Sequence, residues 1–362
     1  MALDAPYPEL KKSHTMAHKG RPWTDYKPPP AAPVWSVIEG LGSYYILLAA
    51  LELDVFDTLR STGPVGVDIL AQKLDVSEPH LQSLLDSLVA LGLLDQFVNI
   101  YELNDTAERY LTSDGAASMS DLVPVAPGPH DNWLSLAETI KKGRPVDPID
   151  NDPTSFYIPL VEGTFTTMLR TAIRSDLKIR YSASPDLRVL DLGAGGAPWS
   201  IAFLSACPKA TSVVNDFAEV LEVAKRKTTE HEVFDRCEFR PGSFHDIEIE
   251  SNSYDLVVLG HVCRTEGEEG AANLIDRAFS ALKPGGRILV ADYFIDLERK
   301  FNPHGVLMGM TMMASTINGF QISNEKVSLW LRDSGFESLR LIEPIGFQFV
   351  YVAVKPFKKN EK

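Results

Sequence analysis

Glycines at 193 and 195, directly after the apolar run Val189-Leu190-Asp191-Leu192, and an aspartate at 216 are placed to hold a nucleoside. A glycine at either position lets backbone approach a ligand where a side chain would collide. Asp216 lies 21 residues beyond Gly195, where a second strand would end, and a carboxylate there can accept hydrogen bonds from both hydroxyls of a ribose. A dinucleotide fingerprint would need a third glycine where Pro198 stands, and proline has no N–H to offer a pyrophosphate. A second group follows downstream: His261, Arg264 and Asp292. An arginine is no base at physiological pH, but it can stabilise a phenolate, clamp a carboxylate or polarise a carbonyl, alone or with His130. His261, three residues earlier, is the candidate base. His245, Asp246, His261 and His304 have no recognised ligand spacing, so no metal is expected.

The elements that must carry these residues can be read from hydrophobic periodicity. Strands are expected at 188–192, 212–216, 237–240, 254–259 and 287–292, with amphipathic segments between them, as in a doubly wound, mostly parallel sheet. A helix near 324–334 and two strands at 339–342 and 347–354 should close the sheet with a hairpin. Before this lies a helical stretch, 116–182, and before that a smaller unit. In that unit 44–51 reads as a largely buried helix, 67–74 as a second, and a third starts after Ser77 as N-cap, with leucines at i, i+3, i+4 and i+7 and Gly92 at its end. Two short strands in 94–103 complete a winged-helix pattern. Residues 66–115 hold only Lys73 and Arg109 against nine acidic residues, too little positive charge to neutralise phosphates, so a dimerisation role is expected in place of DNA binding.

Composition sets the outer limits. At 362 residues and 44% hydrophobic, the chain has material for about two domains behind a polar arm that ends in a proline-rich stretch. A net charge of -14 disfavours nucleic acid and anionic lipid as partners. Three scattered cysteines suit a reducing cytoplasm. The best apolar run, between Glu39 and Glu52, has 12 uncharged residues, short of a membrane span, and the first residues do not resemble a signal peptide.

Several stretches together carry a resemblance: 190–195 (LDLGAG), Asn215-Asp216, 241–244 (PGSF), 254–262 (YDLVVLGHV), 282–287 (LKPGGR) and 334–336 (SGF). Over about 34–355 the sequence resembles the class I S-adenosylmethionine-dependent small-molecule O-methyltransferases with an N-terminal winged-helix dimerisation domain. The resemblance implies an α/β fold: a Rossmann-like domain at 183–362, preceded by an arm (1–33), a mainly α dimerisation domain (34–115) and a helical connector (116–182). It implies that Asp191, Gly193, Ala194 and Gly195 form the cofactor turn, that Asp216 holds the ribose with Phe217 beside the adenine, and that Ser243 and Phe244 complete the adenine site. Where the family carries its His base this chain has Arg264, and the carboxylates that steady that His map to Asp292 and Gln321. Met308, Met310, Met312 and Met313, with Met168, Trp133, Phe165 and His130, are expected around the acceptor. The implied activity is O-methylation of a small aromatic or polyketide-like metabolite by a homodimer, with helices near 34–51 exchanged between subunits. The alternative is a non-methylating cyclase on the same scaffold.

Overall fold

The computed structural model describes residues 31–126, 128–179, 186–296 and 302–357. Most of the expected arm and the end of the expected connector lie outside the described residues. The chain enters through α1 (Ala32–Glu52), with a proline in its first turn. Helices α2 (Val55–Thr62), α3 (Val67–Leu74) and α4 (Glu78–Ala90) follow, with strands β1 (Val65–Gly66), β2 (Asp95–Phe97) and β3 (Ile100–Glu102) pairing in the order β1-β3-β2. Phe56, Leu59, Leu70, Leu81, Leu85, Leu88 and Tyr101 form the core of this winged helix. The Tyr101 hydroxyl donates to Asp86 at 2.6 Å and accepts from Gln82 at 2.7 Å, tying the wing to α4.

Three points depart from the sequence reading here. Helix α2 was not foreseen, since only eight residues carry its apolar face. Ser77 is the N-cap residue of α4, as expected, with its hydroxyl turned to His80 Nδ1 at 2.9 Å in place of a backbone N–H. Helix α1 is not largely buried. Over the expected 44–51 only Ala50 is fully enclosed, Tyr45 is exposed and the rest are half-buried, and in the preceding turns Val34, Trp35, Val37, Ile38 and Leu41 are exposed, because α1 rests on α2 and α4 and much of its apolar surface has no cover. By length and composition this 21-residue helix could also cross a membrane, against the sequence expectation, since Glu39 is the one charge inside it before the terminal Glu52.

The middle of the chain forms α5 (Asp105–Tyr110), capped by Asn104, then α6 (His130–Leu134), α7 (Leu136–Lys142) and the 27-residue α8 (Pro153–Ile179). Phe165, Leu169 and Ala172 recur at helical spacing along α8 and face the main core.

The remaining chain builds the large sheet. In order come β4 (Arg188–Leu192), α9 (Pro198–Ala206), β5 (Thr211–Asp216), α10 (Ala218–Glu230), β6 (Cys237–Pro241), β7 (Tyr254–Gly260), α11 (Gly267–Ala281) and β8 (Leu282–Asp292). Helices α12 (Pro303–Ser315) and α13 (Asn324–Asp333) and strands β9 (Glu337–Ile345) and β10 (Gln348–Val354) complete it. The strand order is β6-β5-β4-β7-β8-β10-β9, parallel through β8 and antiparallel in the final pair. Strand β8 starts at Leu282, earlier than expected, because the Lys283-Pro284-Gly285-Gly286 segment pairs irregularly with β7 before the regular register begins at Leu256–Arg287. The strand order runs outward in opposite senses from β4 and from β7, and the crevice at the carboxyl ends of those two parallel strands is where ligands bind in folds of this kind.

Candidate active site

Strand parity builds the cradle. Leu190 and Leu192 point to one core, and Val189 points to the other beneath α9. Past Leu192 the chain turns through Gly193 (φ +63) and Gly195 (φ +56), left-handed conformations that favour glycine. A Cβ on Gly193 would stand 2.5 Å from Val262 Cγ1 and 3.3 Å from the Phe244 ring; one on Gly195 would meet Val161 Cγ1 at 3.0 Å. Ala194 N–H donates to the Asn215 carbonyl at 2.9 Å, and Asn215 Nδ2 donates in turn to the carbonyls of Arg240 and Gly242. The turn is thereby fixed to β5 and to the loop after β6.

Asp216 closes the cradle. Its Oδ2 accepts from Gly195 N–H at 2.7 Å and its Oδ1 from Phe217 N–H at 2.8 Å. Each oxygen keeps further acceptor capacity, enough for the two hydroxyls of a ribose. Burial raises the Asp216 pKa, and the two backbone N–H groups oppose that rise. Phe217 is the N-cap residue of α10 and half-buried. Phe244 lies against Gly193, and Ser243 Oγ accepts from His245 N–H at 3.2 Å. The residues present therefore fit a nucleoside.

Asp191 does not face this cradle, and its assignment to the ligand is corrected. It shares the strand face of Val189, is 1% exposed, and its Oδ2 accepts from Ser200 N–H (3.2 Å) and Ser200 Oγ (2.7 Å), bracing the start of α9. Oδ1 is buried without a partner. Burial pushes its pKa from 3.8 to about 7. A raised carboxyl pKa favours the folded state below the unfolded value and loses that contribution as pH climbs through the folded value. Asp191→Asn is expected to remove a few kcal/mol of stability loss between pH 4 and 7, read as denaturant midpoints of the two proteins across that range.

At the acceptor end, Arg264 sits in a 3-10 turn, Cys263–Thr265, just past β7. It is neither a surface residue nor a free clamp. Nη1 donates to Asp292 Oδ1 at 2.9 Å, with the side chains 14% and 2% exposed, and the guanidinium lies 5.4 Å over the Tyr293 ring. Burial works against the charge, but Asp292 and Tyr293 outweigh it and hold the arginine pKa above its usual value. Parallel pairing explains the meeting: β7 and β8 run in register to Gly260–Ala291, so Asp292 ends its strand beside the turn that bears Arg264. Asp292 Oδ1 also accepts from Tyr293 N–H at 2.9 Å, and its Oδ2 is buried and unpartnered. Asp292, which maps to a carboxylate that steadies the family's His, is here the counter-ion of Arg264.

His261 is corrected as well. Its backbone is left-handed (φ +67), its Nε2 is buried without a partner, and burial drives its pKa down to about 4. It is a neutral ring, 5.3 Å from Tyr293, with too little basicity to act as the base at neutral pH. His304, at the start of α12, lies on Tyr293 at 4.9 Å and stacks on Phe347 at 4.7 Å, and burial lowers its pKa too.

The expected acceptor residues separate into groups. Met168 is half-buried, with Sδ 3.7 Å from Gln348 Nε2, and Gln348 approaches both the His261 ring and the Tyr293 hydroxyl. Met308 and Met310 are half-buried, Met312 is 5% exposed and belongs to the interior, and Met313 is largely exposed. Phe165 is removed from the acceptor set: it is core, beneath Gly196 and against Lys227 and His231. His130 stands on the exposed start of α6 with its ring against Tyr44 (5.8 Å) and Tyr45 (6.1 Å), so it faces α1 and does not join Arg264. Trp133 is half-buried on the same helix. Gln321 Nε2 donates to the Val306 carbonyl at 3.0 Å, steadying α12 and not the position of Arg264. The four candidate metal residues do not converge: His245 pairs with Glu266 while His261 and His304 flank Tyr293, and among the described residues no group of three or more His, Cys, Asp or Glu is placed to hold an ion.

Sequence reasoning missed Tyr157, Tyr293, Phe347 and Gln348. Tyr157, on α8, is near enough to feel the charges of Arg264, Asp150, Glu266 and Asp216, and burial pushes its pKa up to about 12.

Residues 35–113 match the O-methyltransferase dimerisation domain and residues 172–337 the O-methyltransferase domain. A 3-hydroxy-5-methyl-1-naphthoate 3-O-methyltransferase of Streptomyces sahachiroi is 26% identical over 322 residues, 84% of this chain and 88% of its own length. Acetylserotonin O-methyltransferase of Bos taurus is 25% identical over 82% of this chain and 89% of its own. A structure described as an O-methyltransferase from Nostoc punctiforme superposes with a TM-score of 0.83 at 24% identity, covering 91% of this chain and all of that one. Human N-acetylserotonin methyltransferase, solved with S-adenosylmethionine, superposes at 0.77 and 22% identity, covering 92% and 99%. At these identities the superpositions show the fold. With both family domains in order along one chain and the nucleoside cradle intact, the protein belongs to the S-adenosylmethionine-dependent O-methyltransferase family.

Proposed function

We propose that this chain methylates an acidic hydroxyl, a phenol or an enol, on a small and largely apolar metabolite. The observation that carries the nucleoside half is the Asp216 carboxylate, held by two backbone N–H groups and still able to accept from two hydroxyls. S-Adenosylmethionine, when bound, supplies a sulfonium methyl, an electrophile strong enough to react with an aligned oxygen anion. Gly193 and Gly195 admit the ligand at backbone distance, Asp216 orients its sugar, and Phe244 shields it from water. At the other end Arg264 stands where the family carries its imidazole, burial has taken the basicity of His261, and burial lowers the His304 pKa as well. Acceptors that ionise near the working pH are therefore favoured; the Arg264 charge stabilises their oxygen anion, and alignment supplies the remaining advantage. The half-buried Met168, Met308 and Met310 and the rings of Tyr157 and Tyr293 suit a flat, apolar ligand outline. The non-methylating alternative is not favoured, since the relatives above are O-methyltransferases. The test is incubation with methyl-labelled cofactor and two series, acidic phenols and simple alcohols. Label is expected only in the phenol products, and transfer to alcohols at equal rates would overturn the acceptor class.

The uncovered apolar face of α1 we read as the contact with a second copy of the chain, since it falls within the matched dimerisation domain. Val37 is 78% exposed, so Val37→Glu leaves the folded monomer undisturbed. It is expected to shift the protein from dimer to monomer in sedimentation velocity at micromolar concentration.

A further inference from the structure

The Phe244 ring lies on Gly193, and the residue after it is tied across the mouth of the crevice. His245 Nε2 is 2.6 Å from Glu266 Oε2. The His245 ring also meets Phe244 edge-on, with centroids 4.8 Å apart. Ser243 carbonyl accepts from the N–H groups of Asp246 and Ile247, and Ser243 Oγ accepts from His245 N–H, so 243–247 is one hydrogen-bonded turn. The far end of the tie is equally fixed. Glu266 Oε1 lies 2.9 Å from Thr265 Oγ1, whose one proton is shared with the Val262 carbonyl at 2.8 Å, and its carboxylate side chain is 18% exposed. Glu266 occupies the N-cap position of α11, yet its side chain makes no capping hydrogen bond; it is committed to His245 and Thr265. Gly270, one helical turn on, leaves it room, since a Cβ there would stand 3.1 Å from Glu266 Cβ.

Two residues before Glu266 comes Arg264, in a turn closed by Thr265 N–H to the Val262 carbonyl and Glu266 N–H to the Cys263 carbonyl. The ring over the cradle and the guanidinium at the acceptor end are thus joined through one side-chain pair. We propose that His245 and Glu266 form a latch that couples occupancy of the nucleoside cradle to the placement of Arg264. They are positioning residues, and the coupling makes binding at the two ends of the crevice cooperative. This rests on the cofactor reading above. A nucleoside seated beside Gly193 fixes Phe244, Phe244 fixes His245, and the latch passes that constraint to the turn carrying Arg264.

The test is calorimetric titration with S-adenosylhomocysteine, which needs no acceptor and no turnover. His245→Ala and Glu266→Ala are each expected to weaken binding roughly 5- to 10-fold, and the double variant no more than either alone. His245→Gln, which keeps a donor for Glu266, should recover most of the loss. Arg264→Lys should weaken binding in the native background and leave it unchanged in the His245→Ala background. Equal affinity in His245→Ala and the native protein, additive losses in the double variant, or an Arg264→Lys effect independent of background would each overturn the latch while leaving the cofactor reading intact. A native protein that takes up no S-adenosylhomocysteine would overturn that reading first, and the latch with it.

Discussion

Replacing Arg264 by alanine is expected to lower turnover by roughly two orders of magnitude, the loss typical when a preorganised donor to an oxygen anion is removed. The same change strands the Asp292 carboxylate, buried and without its cation, which costs about 3–5 kcal/mol of stability. Thermal melting and steady-state rates measured together separate the two losses. Arg264→Lys keeps the charge but not the planar fork and should fall between. Arg264→His is the sharper probe. In the native enzyme the rising limb of kcat/KM against pH should follow the ionisation of the acceptor, moving when one phenol is exchanged for another. In Arg264→His an imidazole stands beside Asp292, and a limb fixed between pH 5 and 8 should appear that no longer follows the acceptor, with activity rising as the ring loses its proton. A native profile indifferent to the acceptor, or unchanged turnover in Arg264→Ala, would remove the arginine from the reaction.

Asp216→Ala is expected to weaken S-adenosylhomocysteine binding by at least 100-fold. Charged acceptors of hydroxyl hydrogen bonds contribute about 1.5–3 kcal/mol each, and two are lost along with the acceptor for Gly195 N–H and Phe217 N–H. Asp216→Asn should be nearly as damaging despite its shape. Both carboxylate oxygens accept a backbone N–H, so whichever way the amide turns, its NH2 faces another donor. Calorimetry of the three proteins checks the ranking; an asparagine variant that binds like the native enzyme would show that the sugar is held elsewhere.

The framework of both domains was legible because its signals are local. Strand β4 was expected at 188–192 and occupies Arg188–Leu192, and α3 was expected at 67–74 and occupies Val67–Leu74, since apolar runs bounded by turn residues leave little freedom. The glycine turn and Asp216 were legible for the same reason: short spacing and a strand end. Asp191 was misread because its place in the motif outweighed strand parity, which puts it on the Val189 face towards Ser200. Phe165 was misread because an aromatic on a helix gives no sign of which wall it serves, and only its spacing to Leu169 and Ala172 marks the core face. The exposure of α1 could not be read, because an apolar helix covered by its own domain and one awaiting a second chain have the same composition. Asp292 beside position 264 was legible only through the family resemblance, since 28 residues of chain separate the two and the parallel register of β7 and β8 brings them together. Tyr157 and Gln348 have no motif at all; they meet the site because three separate elements converge there.

The antiparallel direction of β10 has an evolutionary corollary. Phe349 pairs with Asp292, so β10 begins where the parallel strands finish, and the tip that precedes it delivers Gly346, Phe347 and Gln348 to the acceptor wall. Among the described residues, the side-chain and carbonyl contacts of Phe347 and Gln348 go to Asn302, His304, Met168, His261 and Tyr293, away from the sugar-binding turn. Lengthening or recolouring this one hairpin can therefore retune which metabolite is accepted while the methyl-donor half is inherited unaltered, so divergence among close kin should concentrate at 345–348.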